Sequence, residues 1–206
     1  MRNDFETIKS DFLSINATLK DIAVKIEENL TEMFSGFEHI DKIGCRIKGE
    51  NSFLDKTLKE DKGVLKYKTP LKEIQDIIGA RVVVYYKSDV EKAIEQITKF
   101  YRFVEQKSII PDDVTKFGYE GQHFICFIPS TIYASHKTNL LIPDFFELQI
   151  KTLYQHAWSQ SEHGLGYKPG SKLTYDEERK LAFIAAQSWG ADRMLMDLLK
   201  TQETTN

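Results

Sequence analysis

Residues 76–86 read DIIGARVVVYY and are the strongest candidate for a central β-strand. Valine, isoleucine and tyrosine dominate this stretch, and β-branched and aromatic residues favour strands. Its one glycine, Gly79, is expected to allow a tight turn at the start of the strand. The chain on either side of this stretch is therefore expected to build a sheet.

Segments with strand character lie on both sides of it, at 37–48, 103–110, 122–130 and 145–152. Helical patterns separate them at 50–62, 88–101 and 153–165, with Ser88 as a plausible N-cap of the second. We therefore predict an α/β (α+β) fold in which a mixed sheet of about five strands is flanked by helices.

A long amphipathic helix is predicted at each end of the chain. In residues 1–36 the apolar side chains recur every three or four positions, and Ser35-Gly36 ends the pattern. This stripe must be covered by the C-terminal helix or by another subunit, so a homo-oligomer is one possible assembly. The C-terminal helix is placed within 171–203, and its predicted inner face comprises Leu181, Ile184, Ala185, Ser188, Ala191, Leu195 and Leu198. We expect one domain over 1–206, with its catalytic core at 37–168.

The composition argues against several classes of protein. The 206 residues carry a formal net charge of −3, which gives no strong overall field toward nucleic acid or anionic lipid. The two cysteines, Cys45 and Cys126, lie in no CxxC or zinc-type spacing and suit a reducing compartment. No apolar run is long enough to span a bilayer, so we expect a cytoplasmic protein with no membrane contact.

Two carboxylates sit at unusual places. Asp76 lies at the start of the strongest strand, and Glu147 lies between Phe146 and Leu148 in another strand. A carboxylate in such surroundings requires a cation, which is either a neighbouring arginine or lysine or a shared Mg²⁺.

Basic residues cluster between 46 and 59. Ser52, Lys56 and Lys59 share one helical face, and Arg46 and Lys48 alternate on the chain that enters that helix. A cationic cluster at a helix start suits a polyphosphate. Because acidic residues are interleaved, a solvated charged face is the alternative.

The loop before the strand at 122–130 contains Gly118, Tyr119, Gly121 and His123. Its glycines are expected to admit a ligand close to the backbone, and Tyr119 to stack on a nucleobase. A plain connection between two strands is the alternative. The spacing of the histidines gives no zinc site.

Four motifs, in this order and at these spacings, resemble the synthetase domain of the RelA/SpoT family. They are R-I-K-x3-S-x3-K from Arg46, D-I-I-G-A-R from Asp76, G-Y-x3-H from Gly118, and E-L-Q-I-K-T…W-x3-E-H-x-L-x-Y-K from Glu147. The resemblance implies a nucleotidyltransferase-like fold. It also implies a Mg²⁺-dependent pyrophosphokinase that transfers the β,γ-diphosphate of ATP to the 3′-hydroxyl of GDP or GTP, giving (p)ppGpp and AMP.

The resemblance also implies roles for individual residues. Asp76 and Glu147 are the implied catalytic residues and Mg²⁺ ligands, and Glu147 also activates the acceptor hydroxyl. Arg46 and Arg81 are implied to enclose adenine. The implied phosphate contacts are Lys48, Ser52, Lys56 and Lys59, and the implied acceptor contacts are Tyr119, His123, Gln149 and His163.

The acceptor loop departs from the family pattern. Phe117 stands where the family has an asparagine that reads guanine, and Glu120 replaces an arginine. Lys151 also replaces an arginine, which loses the bidentate fork. Two alternatives therefore accompany the guanine nucleotide acceptor. One is a toxin that modifies the 3′ end of tRNA and is paired with a protein antitoxin, and the other is an inactive nucleotide sensor.

Overall fold

The structure, a computed structural model, describes residues 2–113, 115–134, 141–166 and 173–203. Its helices are α1 Arg2–Ser14, α2 Asn16–Met33, α3 Glu50–Thr57, α4 Pro70–Glu73, α5 Lys87–Phe100, α6 Ser130–Ala134, α7 Leu153–Gly166 and α8 Tyr175–Glu203. Its strands are β1 Ile40–Ile47, β2 Glu60–Asp61, β3 Val64–Leu65, β4 Ile78–Val84, β5 Phe103–Ile109, β6 Gly121–Phe127 and β7 Phe145–Thr152. The predicted boundaries at 168 and 171 lie outside the described residues.

Five strands form one mixed sheet in the order β1-β4-β7-β6-β5, which confirms the predicted fold class. β4 and β7 run parallel at its centre, and the other neighbouring pairs are antiparallel. The stretch at 76–86 therefore does supply a central strand. Gly79 lies inside β4, paired with Arg46 and with Glu147, so the turn predicted at this glycine is wrong.

The two faces of the sheet differ in polarity because side chains alternate along each strand. On one face, fully buried side chains from β4, β6 and β7 pack against α2 and α5; they are Ile78, Val82, Val84, Phe124, Phe146, Leu148 and Ile150. The opposite face carries the polar residues of the same strands and is partly covered by α7. This opposite face holds the candidate site.

The N-terminal segment is two helices, α1 and α2, which meet at Ile15. Its apolar stripe is covered by the sheet of its own chain, because Phe12, Leu19, Ile22 and Ile26 are fully buried in the shared core. The expected cover, the C-terminal helix or a second subunit, is therefore wrong for this stripe. Whether the protein forms a homo-oligomer stays a prediction.

The helix predicted over 50–62 ends at Thr57. The hairpin β2–β3 follows, and Lys62 and Gly63 form its turn with φ values of 53° and 79°. Two successive residues with positive φ are the signature of a type I′ turn. The Lys-Gly pair forms this turn, and the predicted helix did not take it into account.

Ser88 does not cap α5. The helix begins at Lys87 after the N-cap residue Tyr86, and the hydroxyl of Ser88 is buried with no hydrogen-bond partner among the described residues.

The inner face of α8 is narrower than predicted. Ala185 and Asp192 are buried, whereas Ile184 is 37% exposed and Leu198 is 61% exposed, so these two assignments are wrong. The reason is that α8 packs chiefly along α7, and a single partner helix covers only a narrow stripe. Among the described helices, none is both long and apolar enough to cross a bilayer.

Candidate active site

Three polar residues of β7 face the same side of the sheet. Glu147, Gln149 and Lys151 alternate with the buried Phe146, Leu148 and Ile150, as the two-residue period of a strand requires. His123 of β6 lies directly across from Gln149. The central strands thus present an acid, an amide, a lysine and a histidine as one polar surface.

β1 and β4 add two arginines in a reciprocal arrangement with glycines. Arg46 on β1 pairs with Gly79 on β4, and Arg81 on β4 pairs with Gly44 on β1. Diagonal neighbours of this kind are about 7–8 Å apart. Each arginine therefore faces a residue without a side chain, and the Nε of Arg81 lies 3.7 Å from where a Cβ of Gly44 would be.

These groups surround a cavity of about 220 Å³. The lining residues are Arg46, Lys48, Asp76, Gly79, Ala80, Arg81, Tyr119, His123, Glu147, Gln149, Lys151, Ser159, Gln160 and Glu162. The lining therefore combines three carboxylates, from the turn before β4, from β7 and from α7, with a group of cations.

Asp76 is bound by two lysines. Its Oδ2 atom lies 2.9 Å from the Nζ of Lys48 and 2.8 Å from the Nζ of Lys56. Burial acts to raise the pKa of Asp76, but Lys56 and Lys48 outweigh it and hold that pKa below its ordinary value. Asp76 is therefore an anion near neutral pH.

Glu147 is fixed by two hydrogen bonds. Its Oε1 atom lies 2.9 Å from the Nδ1 of His123, and its Oε2 accepts from the Nε2 of Gln149 at 2.7 Å. Burial acts to raise the pKa of Glu147, whereas His123 and Gln149 lower it, and the net effect is a pKa below the ordinary value. The charge of Asp76 opposes this lowering, so the two carboxylates interact electrostatically.

Tyr119 lies over the start of β6. Its hydroxyl is 2.6 Å from the Nε2 of His123. A Cβ atom built on Gly121 would lie 2.8 Å from this hydroxyl, closer than real Cβ atoms approach. The missing side chain of Gly121 therefore makes room for Tyr119, and not only for a ligand as the sequence suggested.

Lys151 is a buried cation without a carboxylate partner among the described residues. It is 6% exposed, donates to the Oγ of Ser159 at 3.3 Å, and places its ammonium 4.6 Å from the centre of the Tyr119 ring. Burial lowers the pKa of Lys151 to about 8, although the charge of Glu147 acts to raise it. A buried ammonium of this kind is a preformed site for an anion.

Other predicted site residues are spread more widely. Lys56 reaches the site through Asp76, but Ser52 and Lys59 are exposed on and after α3 and do not line the cavity. His163 lies on α7, and its side chain is outside the described residues. The structure thus brings nine of the twelve predicted site residues to the cavity or to a direct contact with its lining; the nine are Arg46, Lys48, Lys56, Asp76, Arg81, Tyr119, His123, Glu147 and Gln149.

Sequence reasoning missed several residues that line the cavity. Lys151 was noted only as a departure from the family, although its alternation with Glu147 and Gln149 placed it on the same face. Ser159 and Gln160 reach the cavity from α7, and no local pattern in that helix distinguishes them. Glu162, the acid of the W-x3-E-H motif, also lines the cavity, although it was given no role.

The lining fits a divalent cation that is held in part by substrate. Within the described ranges no three His, Cys, Asp or Glu side chains group as a complete metal site. The Oδ1 atom of Asp76 is nevertheless buried with no hydrogen-bond partner among the described residues. Mg²⁺ characteristically uses one or two carboxylates together with phosphate oxygens and water, which matches this partial set.

A profile described as "Region found in RelA / SpoT proteins" matches residues 45–172. The GTP pyrophosphokinase YjbM of Bacillus subtilis (strain 168) is 27% identical over 157 residues, which cover 73% of this chain and 68% of that protein.

Two solved structures share the fold. The small alarmone synthetase 1 from Bacillus subtilis superposes with a TM-score of 0.75 and 20% identity, covering 94% of this chain and 99% of that one. The structure of the same enzyme bound to its product pppGpp superposes with a TM-score of 0.69 and 19% identity, covering 92% of this chain and 95% of that one.

Proposed function

Because this chain belongs to the RelA/SpoT family, we propose that it is an ATP-dependent pyrophosphokinase that acts on GDP or GTP. The observation that carries the proposal is the convergence of Asp76 and Glu147 on one cavity with Arg46, Arg81 and Lys48. A protein that only sensed nucleotides would need the cations but not both acids. The relative YjbM is named as a GTP pyrophosphokinase, which agrees with this assignment.

The donor nucleotide occupies the β1–β4 side of the cavity. Arg46 and Arg81 are diagonal neighbours on the polar face, which favours adenine stacked between them, because arginine stacks well on aromatic faces. Adenine between them leaves the triphosphate near Lys48 and Lys56. The N-terminus of α3 follows Gly49, which makes no side-chain cap, so free backbone N–H groups are available for phosphate oxygens.

Ser52 and Lys59 extend the phosphate contacts from the exposed side of α3. Ser52 lies one turn before Lys56 on α3 and Lys59 follows the end of the helix, and both are exposed outside the cavity itself. A triphosphate that runs along α3 would contact them at its γ end.

Asp76 and Glu147 would hold Mg²⁺, which neutralises charge on the phosphates when it is bound. The Oδ1 of Asp76 supplies one ligand position. Glu147 supplies a second through the lone pairs not used by His123 and Gln149.

The acceptor occupies the β6–β7 side, where Tyr119, His123 and Gln149 lie, and the family pattern assigns His163 to the acceptor as well. The 3′-oxygen attacks the β-phosphorus, the bond from that phosphorus to the α,β-bridging oxygen breaks, and AMP leaves with the bridging oxygen. The hydroxyl proton passes to the carboxylate of Glu147 and then to solvent. In such a loose transition state the protein contributes chiefly position and charge.

The test is transfer of label from γ-labelled ATP with Mg²⁺, with GDP, GTP, ATP and total tRNA offered side by side. Label on GDP or GTP, with stoichiometric AMP, is the expected result. AMP formed only with tRNA would show that the acceptor is the end of a tRNA and not GDP or GTP. AMP formed with none of the four would refute transfer and leave a sensor.

A further inference from the structure

A chain of hydrogen bonds runs from the acid of the site to the acceptor loop. The Oε1 of Glu147 is 2.9 Å from the Nδ1 of His123, and the Nε2 of His123 is 2.6 Å from the hydroxyl of Tyr119. The second oxygen of Glu147 is held by Gln149. All four side chains line the cavity, so these contacts form part of its wall.

The protons in this chain follow from the chemistry of the end groups. Ionised Glu147 has no proton to give, so the Nδ1 of His123 must carry one and donate it. In a neutral imidazole the Nε2 is then an acceptor, and the hydroxyl of Tyr119 donates to it.

The chain is not a route for moving a proton outward. Burial, followed by the charges of Glu147 and Glu162, raises the pKa of Tyr119 above its ordinary value. The Nδ1 of His123 already carries a proton and cannot accept one from Glu147, and its Nε2 has no proton to release to Tyr119. The contacts therefore hold groups in place.

We propose that His123 is a positioning residue for Glu147, and that the hydroxyl of Tyr119 keeps His123 in the Nδ1–H tautomer. This role rests on the proposed pyrophosphokinase activity. One lone pair of each carboxylate oxygen accepts a hydrogen bond, which fixes the orientation of Glu147. The other lone pairs remain available to groups bound in the cavity. Loss of the His123 contact leaves Gln149 as the only one of these two hydrogen bonds to Glu147, so the carboxylate is less firmly oriented.

Gly121 is needed for the same set of contacts. Only a residue without Cβ lets the Tyr119 hydroxyl approach His123 at this point, since a Cβ would lie 2.8 Å from the hydroxyl oxygen and 3.2 Å from the adjoining ring carbon. The conformation of the loop before β6 is thus coupled to the orientation of the acid on the neighbouring strand β7.

The first test reads the tautomer directly. Nitrogen-15 NMR of the histidine side chains in the full-length protein is expected to show His123 protonated on Nδ1 alone at neutral pH. In Tyr119→Phe, which keeps the ring, the signal should become a mixture of tautomers. An Nε2–H tautomer or an imidazolium in the unaltered protein would overturn the role of Tyr119.

The second test separates positioning from packing through kinetics. His123→Ala should lower kcat on the order of 10–100-fold, the range seen for groups that orient a site ligand, with KM for ATP unchanged. His123→Asn places an amide donor where Nδ1 was and should restore most of the loss, whereas His123→Gln should not. His39→Asn, at a histidine that pairs with Asp89 away from the cavity, is the matched control.

A third test changes the glycine that makes room for the Tyr119 hydroxyl. Gly121→Ala should reproduce the tautomer mixture and the kcat loss of Tyr119→Phe, whereas Gly118→Ala, whose Cβ would meet only Pro111 at 4.0 Å, should not.

The outcomes are distinguishable. Equal kcat in His123→Ala, His123→Asn and His123→Gln would overturn the positioning role while the pyrophosphokinase assignment stood. An unaltered enzyme that transfers label to no acceptor would overturn both, whatever its tautomer.

Discussion

Glu147 illustrates how a largely buried carboxylate stays ionised in the folded protein. It stays ionised because two hydrogen-bond donors outweigh the effect of burial on its pKa, and it remains 21% exposed toward the cavity. Its charge is therefore available both to a cation and to the acceptor hydroxyl.

Glu147→Gln keeps the shape of the side chain and removes the charge. We expect kcat to fall about 10³-fold, within the range for loss of a general base, while ATP affinity changes little because the adenine contacts on β1 and β4 and the phosphate contacts at Lys48 and Lys56 are unchanged. Single-turnover transfer and ATP titration measure the two quantities. Glu95→Gln on the exposed side of α5 is the control, and near-normal kcat in Glu147→Gln would remove this acid from the mechanism.

Lys151→Met tests the buried ammonium. Its pKa of about 8 lies below the unfolded value, so the charged form is unfavourable in the folded protein at neutral pH. We expect the variant to be more stable by about 2–3 kcal/mol at pH 7 and at least tenfold less active. Because the unfolded chain binds more protons between pH 8 and 10.5, the wild type gains stability there and the difference should narrow.

Urea unfolding at several pH values measures this change, with Lys99→Met on α5 as an exposed-lysine control. A destabilised Lys151→Met protein would contradict the electrostatic argument, because the methionine retains most of the apolar stem.

At the scale of strands and helices, the donor pocket depends on the register of β1 against β4. The pairing sets Arg46 opposite Gly79 and Arg81 opposite Gly44. A shift of β1 by one residue against β4 would turn Arg46 to the apolar face while Arg81 stayed on the polar face. The pocket is therefore a property of the strand pair rather than of either arginine.

Gly79→Val tests whether the donor pocket depends on the pairing of Arg46 with a glycine. A Cβ on Gly79 would meet nothing within 4 Å, and valine suits a strand, so the unfolding temperature should be unchanged or higher. The added methyl groups would occupy the floor between Arg46 and Glu147 and weaken ATP binding at least tenfold. Calorimetric titration with a non-hydrolysable ATP analogue measures the loss. Gly190→Ala on α8, which also meets nothing within 4 Å, should bind normally.

At the scale of the complete domain, α8 is joined to the sheet by a buried polar contact. The Oδ2 of Asp192 accepts from the Oγ1 of Thr152 at 2.8 Å, and Oδ1 has no hydrogen-bond partner among the described residues. Burial raises the pKa of Asp192 to about 6, which Thr152 and Lys87 only partly oppose. This helix is therefore held less firmly when Asp192 is ionised.

Asp192→Asn should stabilise the protein by about 1–2 kcal/mol at pH 7–8. The folded state holds its proton more tightly than the unfolded state, so wild-type stability falls as pH rises from about 4 through 6. The gain in the variant should vanish below about pH 4. Thermal unfolding between pH 4 and 8 measures it, with the exposed Asp197→Asn as the control. A gain independent of pH would refute the role of ionisation.

Local pattern was enough to identify the strands, because a period of two and β-branched residues are properties of consecutive positions. The motifs likewise named most of the cavity lining. What local pattern could not give was the partner of each element. The stripe at Phe12–Leu30 required a cover, and only the folded chain shows that this cover is its own sheet.

The sequence by itself determined the fold class, the order of the elements and the identities of Asp76, Glu147 and most of the cations. Only the tertiary structure decided that Gly79 and Gly44 face arginines, that Gly121 admits Tyr119, and that Lys151 is buried without a described carboxylate partner. These facts depend on distances between residues far apart along the chain. Such distances are set by strand register and helix packing, which no single segment encodes.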